Sequence, residues 1–301
     1  MFCDLHMHST ASDGTTPPGQ LGKLAKAAGL AAVALTDHDT TNGLADGAHG
    51  CSRAGVAFVP GIEVSADPAV NGPADTAERR GTLHILGLFI RPDDPWLEKV
   101  QVRMKEARQS RNPAIVEKLR LLGVDIQDDD VLAVADAQGT AILGRPHIAQ
   151  VLFDKGYVKS IQDAFRQYLG QGAAAYVRRD RLAAEEAIEA IHHAGGLAVM
   201  AHPVQMGLRE PGLLEHAVAR LKDLGLDGIE THHSDHTPAL VRQYGDMAKR
   251  FNLLTSGGSD FHGSRKDVEM GCANVPIEVY ERLKEAAGAR SGKGTMGSKN
   301  E

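Results

Sequence analysis

Paired cysteines are missing from this chain. Cys3, Cys51 and Cys272 are few, scattered and odd in number, which excludes a disulfide framework and a thiolate-rich metal site. Aromatic residues make up only 4% of the 301 residues, so the stacking platforms that grip long single-stranded nucleic acids have little to be built from. No apolar run approaches the ~18 residues that a bilayer span needs. The N-terminus shows no basic segment followed by an apolar stretch, so no signal peptide is expected and the cytoplasm is the expected location. Excess positive charge is absent too. The formal net charge of −6 argues against a broad non-specific nucleic-acid surface, although it leaves room for a local basic pocket.

What remains is an ordinary globular composition, 42% hydrophobic and 24% charged, with one oddity in its 14 histidines. Helix and surface positions account for His49, His192 and His216. Others stand at the ends of short apolar runs. "MFCDLHMH", "AAVALTDHD", "VAFVPGIEVSA" and "TLHILGLFI" read as strands, and "PPGQLGKLAKAAGL" as a helix opened by proline. Strand–helix alternation of this kind predicts a parallel sheet with crossover helices. From about Trp96 to Gln171 the pattern turns charged and helical, which predicts an insertion. Alternation resumes with "LAVMAHP", "LDGIETHHS" and "LLTSGGSDFHG". The expected organisation is a barrel in two parts, residues 1–95 and 172–287, around a helical insertion subdomain at 96–171. A small, polar, flexible tail is expected at 288–301.

The strand ends carry the chemistry. His6 and His8 share a strand face, with Asp13 in the next loop. "TDHD" supplies His38, and the next two strands carry Glu63 and His84. "MAHP" supplies His202, and "SDFH" supplies Asp260 and His262. In a barrel all of these reach one rim. One HxH pair is a weak signal, but six strands each offering imidazole or carboxylate is a strong one. Such donors without paired thiolates suit Mn²⁺, Fe²⁺ or Zn²⁺, and there are too many of them for a single ion. Asp4 is read as a group that orients a neighbouring imidazole, and Asp37 either as another or as a strand-end turn carboxylate.

The stretch "DLHMHSTASDGTTPPGQLGKLAKAAGLAAVALTDHDTTNGLADG", followed in order by "GIEVSA", "HILGLFI", "AVMAHPV" and "SGGSDFHG", resembles the PHP (polymerase and histidinol phosphatase) phosphoesterases. The resemblance implies an α/β fold, a distorted (β/α)7 TIM-like barrel, holding three divalent metal ions. Mn²⁺ is the first expectation, with Fe²⁺ or Zn²⁺ as alternatives. It further implies one ion on His6, His8, Glu63 and Asp260, a second on Asp13, His38 and His262, and a third on Glu63, His84 and His202. Metal-activated hydroxide would attack phosphorus, with Asp13, His202 and His233 as catalytic groups. His232 and His233 are both possible donors of a proton to the leaving oxygen.

"LGRPHIAQ" and "YVRRDR" place Arg145, His147, Arg178 and Arg179, with Arg181 beside them, where they could bind substrate together with His233. "STASDGT", "TDHDT" and "GRPH" resemble the free-standing subgroup of nucleotide phosphatases and 5′→3′ exoribonucleases. The expected reaction is hydrolysis of the 3′-phosphate of nucleoside 3′,5′-bisphosphates. The alternatives are 5′→3′ cleavage of short RNA or a histidinol-phosphate-type monoesterase. More distant ones are an amidohydrolase, disfavoured because no metal-bridging lysine stands at a strand end, and a non-catalytic metal-binding module. The expected partner is a small nucleotide or short RNA, with no membrane and no obligate protein.

Overall fold

The computed structural model describes residues 1–68, 81–137, 143–177, 181–208, 210 and 212–294. The first half of the barrel comprises β1 (Phe2–Asp4), α1 (Leu21–Ala27), β2 (Leu30–Leu35), α2 (Leu44–Ala54), β3 (Ala57–Ala66) and β4 (Leu83–Leu88). A helical stretch follows: α3 (Pro95–Leu121), α4 (Asp128–Ala137), α5 (Arg145–Asp154) and α6 (Ile161–Ala164). The barrel resumes with α7 (Ala184–His193), β5 (Leu197–Met200), α8 (Leu213–Asp223), β6 (Gly228–His233), α9 (Pro238–Arg250) and β7 (Leu254–Gly258). Then β8 (Val275–Pro276) and α10 (Ile277–Gly294) close the chain. Helix α10 continues past residue 288, where a flexible tail was expected to begin. Arg178 and Arg179 lie outside the described residues.

The strands form one sheet in the order β7-β6-β5-β4-β3-β2-β1-β8. It curls so that β1 meets β7, with Leu5 N–H donating to Gly257 O at 3.0 Å and Asp260 N–H to His6 O at 2.9 Å. This is the distorted TIM-like barrel. At the seam a Cβ on Gly258 would stand 2.4 Å from the His6 backbone nitrogen, so only glycine lets β1 and β7 approach this closely. Two strands depart from the parallel expectation, the short edge strand β8, antiparallel to β1, and β4 within the barrel. β4 pairs antiparallel with both β3 and β5. His84 therefore stands at the amino end of its strand, and only the reversal brings it to the rim formed by the carboxyl ends of the others.

Alternation along β2, β3 and β4 carries each strand from the apolar interior to the site. Ala32 and Ala34, Val59, and Leu86 and Leu88 belong to one buried interior cluster, closed at its base by Val279 and Leu283 of α10. With period two, those positions lead on to His38, Glu63 and His84. The intervening Leu35, Ile62, Val64 and Ile85 face outward into the core beneath the helices. Helix α3 joins the two parts. Asp94 caps it, accepting from Trp96 N–H at 3.1 Å, with Pro95 at its first position. Its 27 residues extend about 40 Å. Leu97, Val100 and Met104 pack into the barrel's outer core. Ile115, Val116 and Leu119 enter a separate core with Val131, Ile148, Leu152 and Leu169.

Candidate active site

Glu63 is fully buried, and five imidazoles converge on its carboxylate. His84 Nδ1 and His202 Nε2 lie 2.8 and 2.9 Å from Oε1, and His6 Nε2 lies 3.4 Å from it. His38 Nδ1 and His8 Nε2 stand 2.9 and 3.2 Å from Oε2. Asp260 Oδ1 is 3.1 Å from His8 Nε2 and 3.5 Å from His6 Nε2. Asp13 faces His262 Nε2 at 3.3 Å and His38 Nε2 at 3.9 Å. The sequence-derived set of His6, His8, Asp13, His38, Glu63, His84, His202, Asp260 and His262 thus meets in one place.

One carboxylate cannot satisfy five rings by hydrogen bonding. His6 Nε2, both ring nitrogens of His8, His38 Nδ1 and Glu63 Oε2 are buried without a hydrogen-bond partner. Orphaned donor atoms facing one another at such distances fit divalent cations, whose charge would offset the buried carboxylates. The donors fall into overlapping groups with ligand atoms within 4.8 Å of one another: His8–Asp13–His38–His262, His6–His8–Asp260, His6–Glu63–His202, His38–Glu63–His84 and His6–Glu230–His233. His202 and Asp260 reach the site from backbones at φ 26 and φ 57, a region costly for a residue with a Cβ.

Electrostatics divide the cluster. Burial alone would raise the Glu63 carboxyl, yet the imidazoles of His38, His84 and His6 hold it well below the usual range. Asp13 and Asp260 are likewise held down against burial, Asp13 by His262 and His38, Asp260 by His262 and the Lys266 ammonium 2.5 Å from its Oδ2. Burial depresses the His8 imidazole, but Asp260 and Glu63 outweigh it and push it up to about 9. His84 and His202 go the other way, since burial outweighs Glu63 and lowers both.

Beside the cluster lies a cleft in which Asp13, His38 and His84 share the walls with Arg108, Arg111, Arg145 and Arg181. Arg108 is ion-paired to Asp39, and Arg111 donates to Asn112 Oδ1 at 3.1 Å. Arg145 donates to Leu169 O at 3.0 Å and lies over the Phe165 ring. His147 is fully buried at the start of α5, where its Nδ1 accepts from Gly144 N–H at 3.0 Å. Its Nε2 has no partner. It caps the first turn of α5 and is not among the residues that line the cleft.

The orienting role is corrected for Asp4, and for Asp37 the turn-carboxylate alternative holds. Asp4 and Asp37 contact no imidazole ring among the described contacts. Asp4 accepts from Ser259 N–H and Gly271 N–H, both at 2.8 Å. Asp37 accepts from Ser9 N–H at 2.8 Å and from the Ser12 hydroxyl at 2.5 Å. Both fasten the loops that carry the ligands. Of the two candidate proton donors, His232 and His233, a bulge turns one towards the cluster. Glu230 pairs with Ser256 and His232 with Gly257, so Thr231 is an extra residue. The bulge leaves His232 half-exposed and turns His233 inward, its Nδ1 accepting from Asp235 N–H at 3.0 Å and its Nε2 lying 3.7 Å from Asp260 Oδ2.

Four residues escaped the sequence reading. Arg108 and Arg111, three apart and so on one face of α3, carried a usable signal. Lys266 follows the "SDFHG" segment closely. Glu230 is an acid inside an apolar strand, and that was its only mark.

Comparison with known proteins gives concordant matches. A family model described as PHP domain matches residues 4–171. A 5′-3′ exoribonuclease from Haemophilus influenzae is 34% identical over 284 residues, covering 93% of this chain and 98% of its own. A 3′,5′-nucleoside bisphosphate phosphatase from Chromobacterium violaceum is 34% identical over 289 residues, covering 93% and 97%. A solved structure from Bifidobacterium adolescentis, described as a metal-dependent phosphoesterase, superposes with a TM-score of 0.81 at 30% identity, covering 93% of this chain and 94% of that one.

Proposed function

The chain belongs to the PHP-domain family of metal-dependent phosphoesterases, and on that premise we propose that its substrate is a nucleoside 3′,5′-bisphosphate, from which it removes the 3′-phosphate to leave a 5′-nucleotide. The observation that carries this reading is the arginine-lined cleft, since Arg108, Arg111, Arg145 and Arg181 stand beside Asp13, His38 and His84. A simple monoester needs one anion site, at the cluster. A bisphosphate needs a second, and planar guanidinium forks suit its oxygens. The similarity to a relative named as a 3′,5′-nucleoside bisphosphate phosphatase supports the same reading.

We assign three divalent cations, Mn²⁺ first, to His6, His8, Glu63 and Asp260, to Asp13, His38 and His262, and to Glu63, His84 and His202. When bound, such ions supply Lewis-acid polarisation of phosphoryl oxygens and lower the pKa of water. The protein's own groups do the rest. Glu63 and Asp260, ionised in the buried cluster, set its charge. His233 holds its proton at Nε2, because Nδ1 accepts from Asp235 N–H, and it is placed to give that proton to the leaving oxygen. Arg145, with Arg181 across the cleft, holds the remote phosphate. Arg178 and Arg179 belong to the same proposal on sequence grounds.

The relative named as a 5′-3′ exoribonuclease favours a second reading, in which the same cleft takes the 5′-phosphate of a short RNA. Phosphate release by Mn²⁺-loaded protein from adenosine 3′,5′-bisphosphate separates the readings, with 3′-AMP, 5′-AMP, histidinol phosphate and a short 5′-phosphorylated RNA alongside. Preference for the bisphosphate with 5′-AMP as product is expected. Mononucleotide release from the RNA at comparable kcat/KM would favour the second reading, and turnover of histidinol phosphate alone would overturn both.

A further inference from the structure

Glu230 is fully buried in the middle of β6, and neither strand pairing nor the nine-residue donor set accounts for it. Its Oε1 lies 3.1 Å from His6 Nδ1, and its Oε2 accepts the backbone N–H of His202 at 2.7 Å. Both oxygens are thus engaged, by two residues that approach the cluster from segments following different strands, β1 and β5. We infer that Glu230 is a positioning residue that presets two metal-binding histidines at once. By accepting at His6 Nδ1 it places a proton there, which leaves the Nε2 lone pair directed at Glu63 and Asp260. By accepting the His202 N–H it holds that peptide in the φ 26 conformation.

The holding contact at His202 matters because of parity. Ala198 and Met200, four and two residues earlier, face the outer core beneath the helices. Continued as a strand, His202 would follow them outward. The left-handed turn reverses it into the site, and an L-residue adopts that turn only where the surroundings over-determine it. The Thr231 bulge serves the same end on β6, since it lets Glu230 and His233 both face His6. A fourth cation among His6, Glu230 and His233 is the competing use of these atoms. It would need His6 Nδ1, which the Glu230 carboxylate already occupies.

The inference rests on the metal-centre reading above but not on the substrate proposed there. Its test is Mn²⁺ titration of metal-stripped wild type, Glu230→Gln and Glu230→Asp, with far-UV circular dichroism as the fold control. Gln offers one acceptor and turns an amide N–H₂ towards a donor, and Asp is too short to reach both groups. Mn²⁺ affinity is expected to fall roughly 10- to 100-fold in both, as for other groups that orient metal-binding histidines. Long-range ¹H–¹⁵N spectra of Zn²⁺-loaded protein supply a readout that a merely structural role would not move. His6 carries its proton on Nδ1 in the wild type and is expected to lose that fixed tautomer in Glu230→Gln.

Wild-type affinity in either folded variant overturns the inference, and if Glu230→Gln does not fold, Glu230→Asp decides alone. Loss of one ion with full affinity at the others would make Glu230 a ligand and also overturn it. Absence of Mn²⁺ uptake by the wild type would overturn the metal-centre reading itself.

Discussion

At the scale of single residues the site is governed by how much charge one buried side chain must balance. Glu63 meets five imidazoles, and its ionised state is held by them against burial. Glu63→Gln keeps the shape but removes the charge and turns an N–H₂ group towards imidazole nitrogens. Turnover is expected to fall by about 10³-fold or more, together with metal content. Full turnover with full metal by elemental analysis would contradict this.

His147 gives a pH test independent of turnover. Burial, with the Arg265 guanidinium nearby, pushes its imidazole down to about 4, whereas in the unfolded chain it titrates near ~6.5. Between those values the unfolded state binds the extra proton. The contribution to stability is therefore complete above ~6.5 and is lost as pH falls towards 4, by up to about 3 kcal/mol. His147→Gln in metal-free protein is expected to lose less Tm between pH 7 and pH 5 than the wild type does. Equal losses would contradict the assignment.

At the scale of elements, strands present the cluster and helices present the cleft. The apolar-to-polar runs along β2 and β3 were legible, because period-two alternation is a local property of the chain. The antiparallel direction of β4 was not, since nothing within "TLHILGLFI" says which way it lies against β3 and β5. The Thr231 bulge was equally hidden, because only pairing with β7 exposes the extra residue. Helix α5 announced Arg145 through its "GRPH" start, whereas Arg108 and Arg111 sat unnoticed in a long charged helix. Arg145→Ala is expected to lower kcat/KM for a nucleoside bisphosphate by about tenfold or more, the order of one charge-assisted contact. An aryl phosphate should be little changed. An equal loss on both substrates would move Arg145 to the reacting phosphoryl group.

At the scale of the whole molecule, segments far apart in the chain build one site, with the segment after β1 supplying His6 and His8 and the segment after β7 supplying Asp260 and His262. No described helix is long and apolar enough to cross a membrane. Cations bound on the proposed ligands would tie the barrel shut, so chelation is expected to lower Tm and added Mn²⁺ to restore it in a concentration-dependent way. Uptake should also depend on pH. In metal-free protein the His8 imidazole stays protonated up to about 9 and His6 is raised well above its ordinary value, so cations must displace protons. Mn²⁺ affinity is therefore expected to be greater at pH 8.5 than at pH 6.5, with proton release in calorimetry run in two buffers. Affinity that does not vary with pH would count against these rings as ligands.

Nine side chains of the cluster, and the order in which they are delivered, were legible in the chain, because each lies in a short segment whose local pattern ends an apolar run in imidazole or carboxylate. Pairing between distant segments is what sets the reversed strand that brings His84 to the rim and the bulge that turns His233, not His232, towards the cluster. Tertiary structure also decided that Glu230 stands behind His6 and His202, and that α3 brings arginines to the same cleft as α5. Those outcomes depend on strand pairing and helix packing between residues far apart in the chain, and such partners leave no mark on the local spacing of residues.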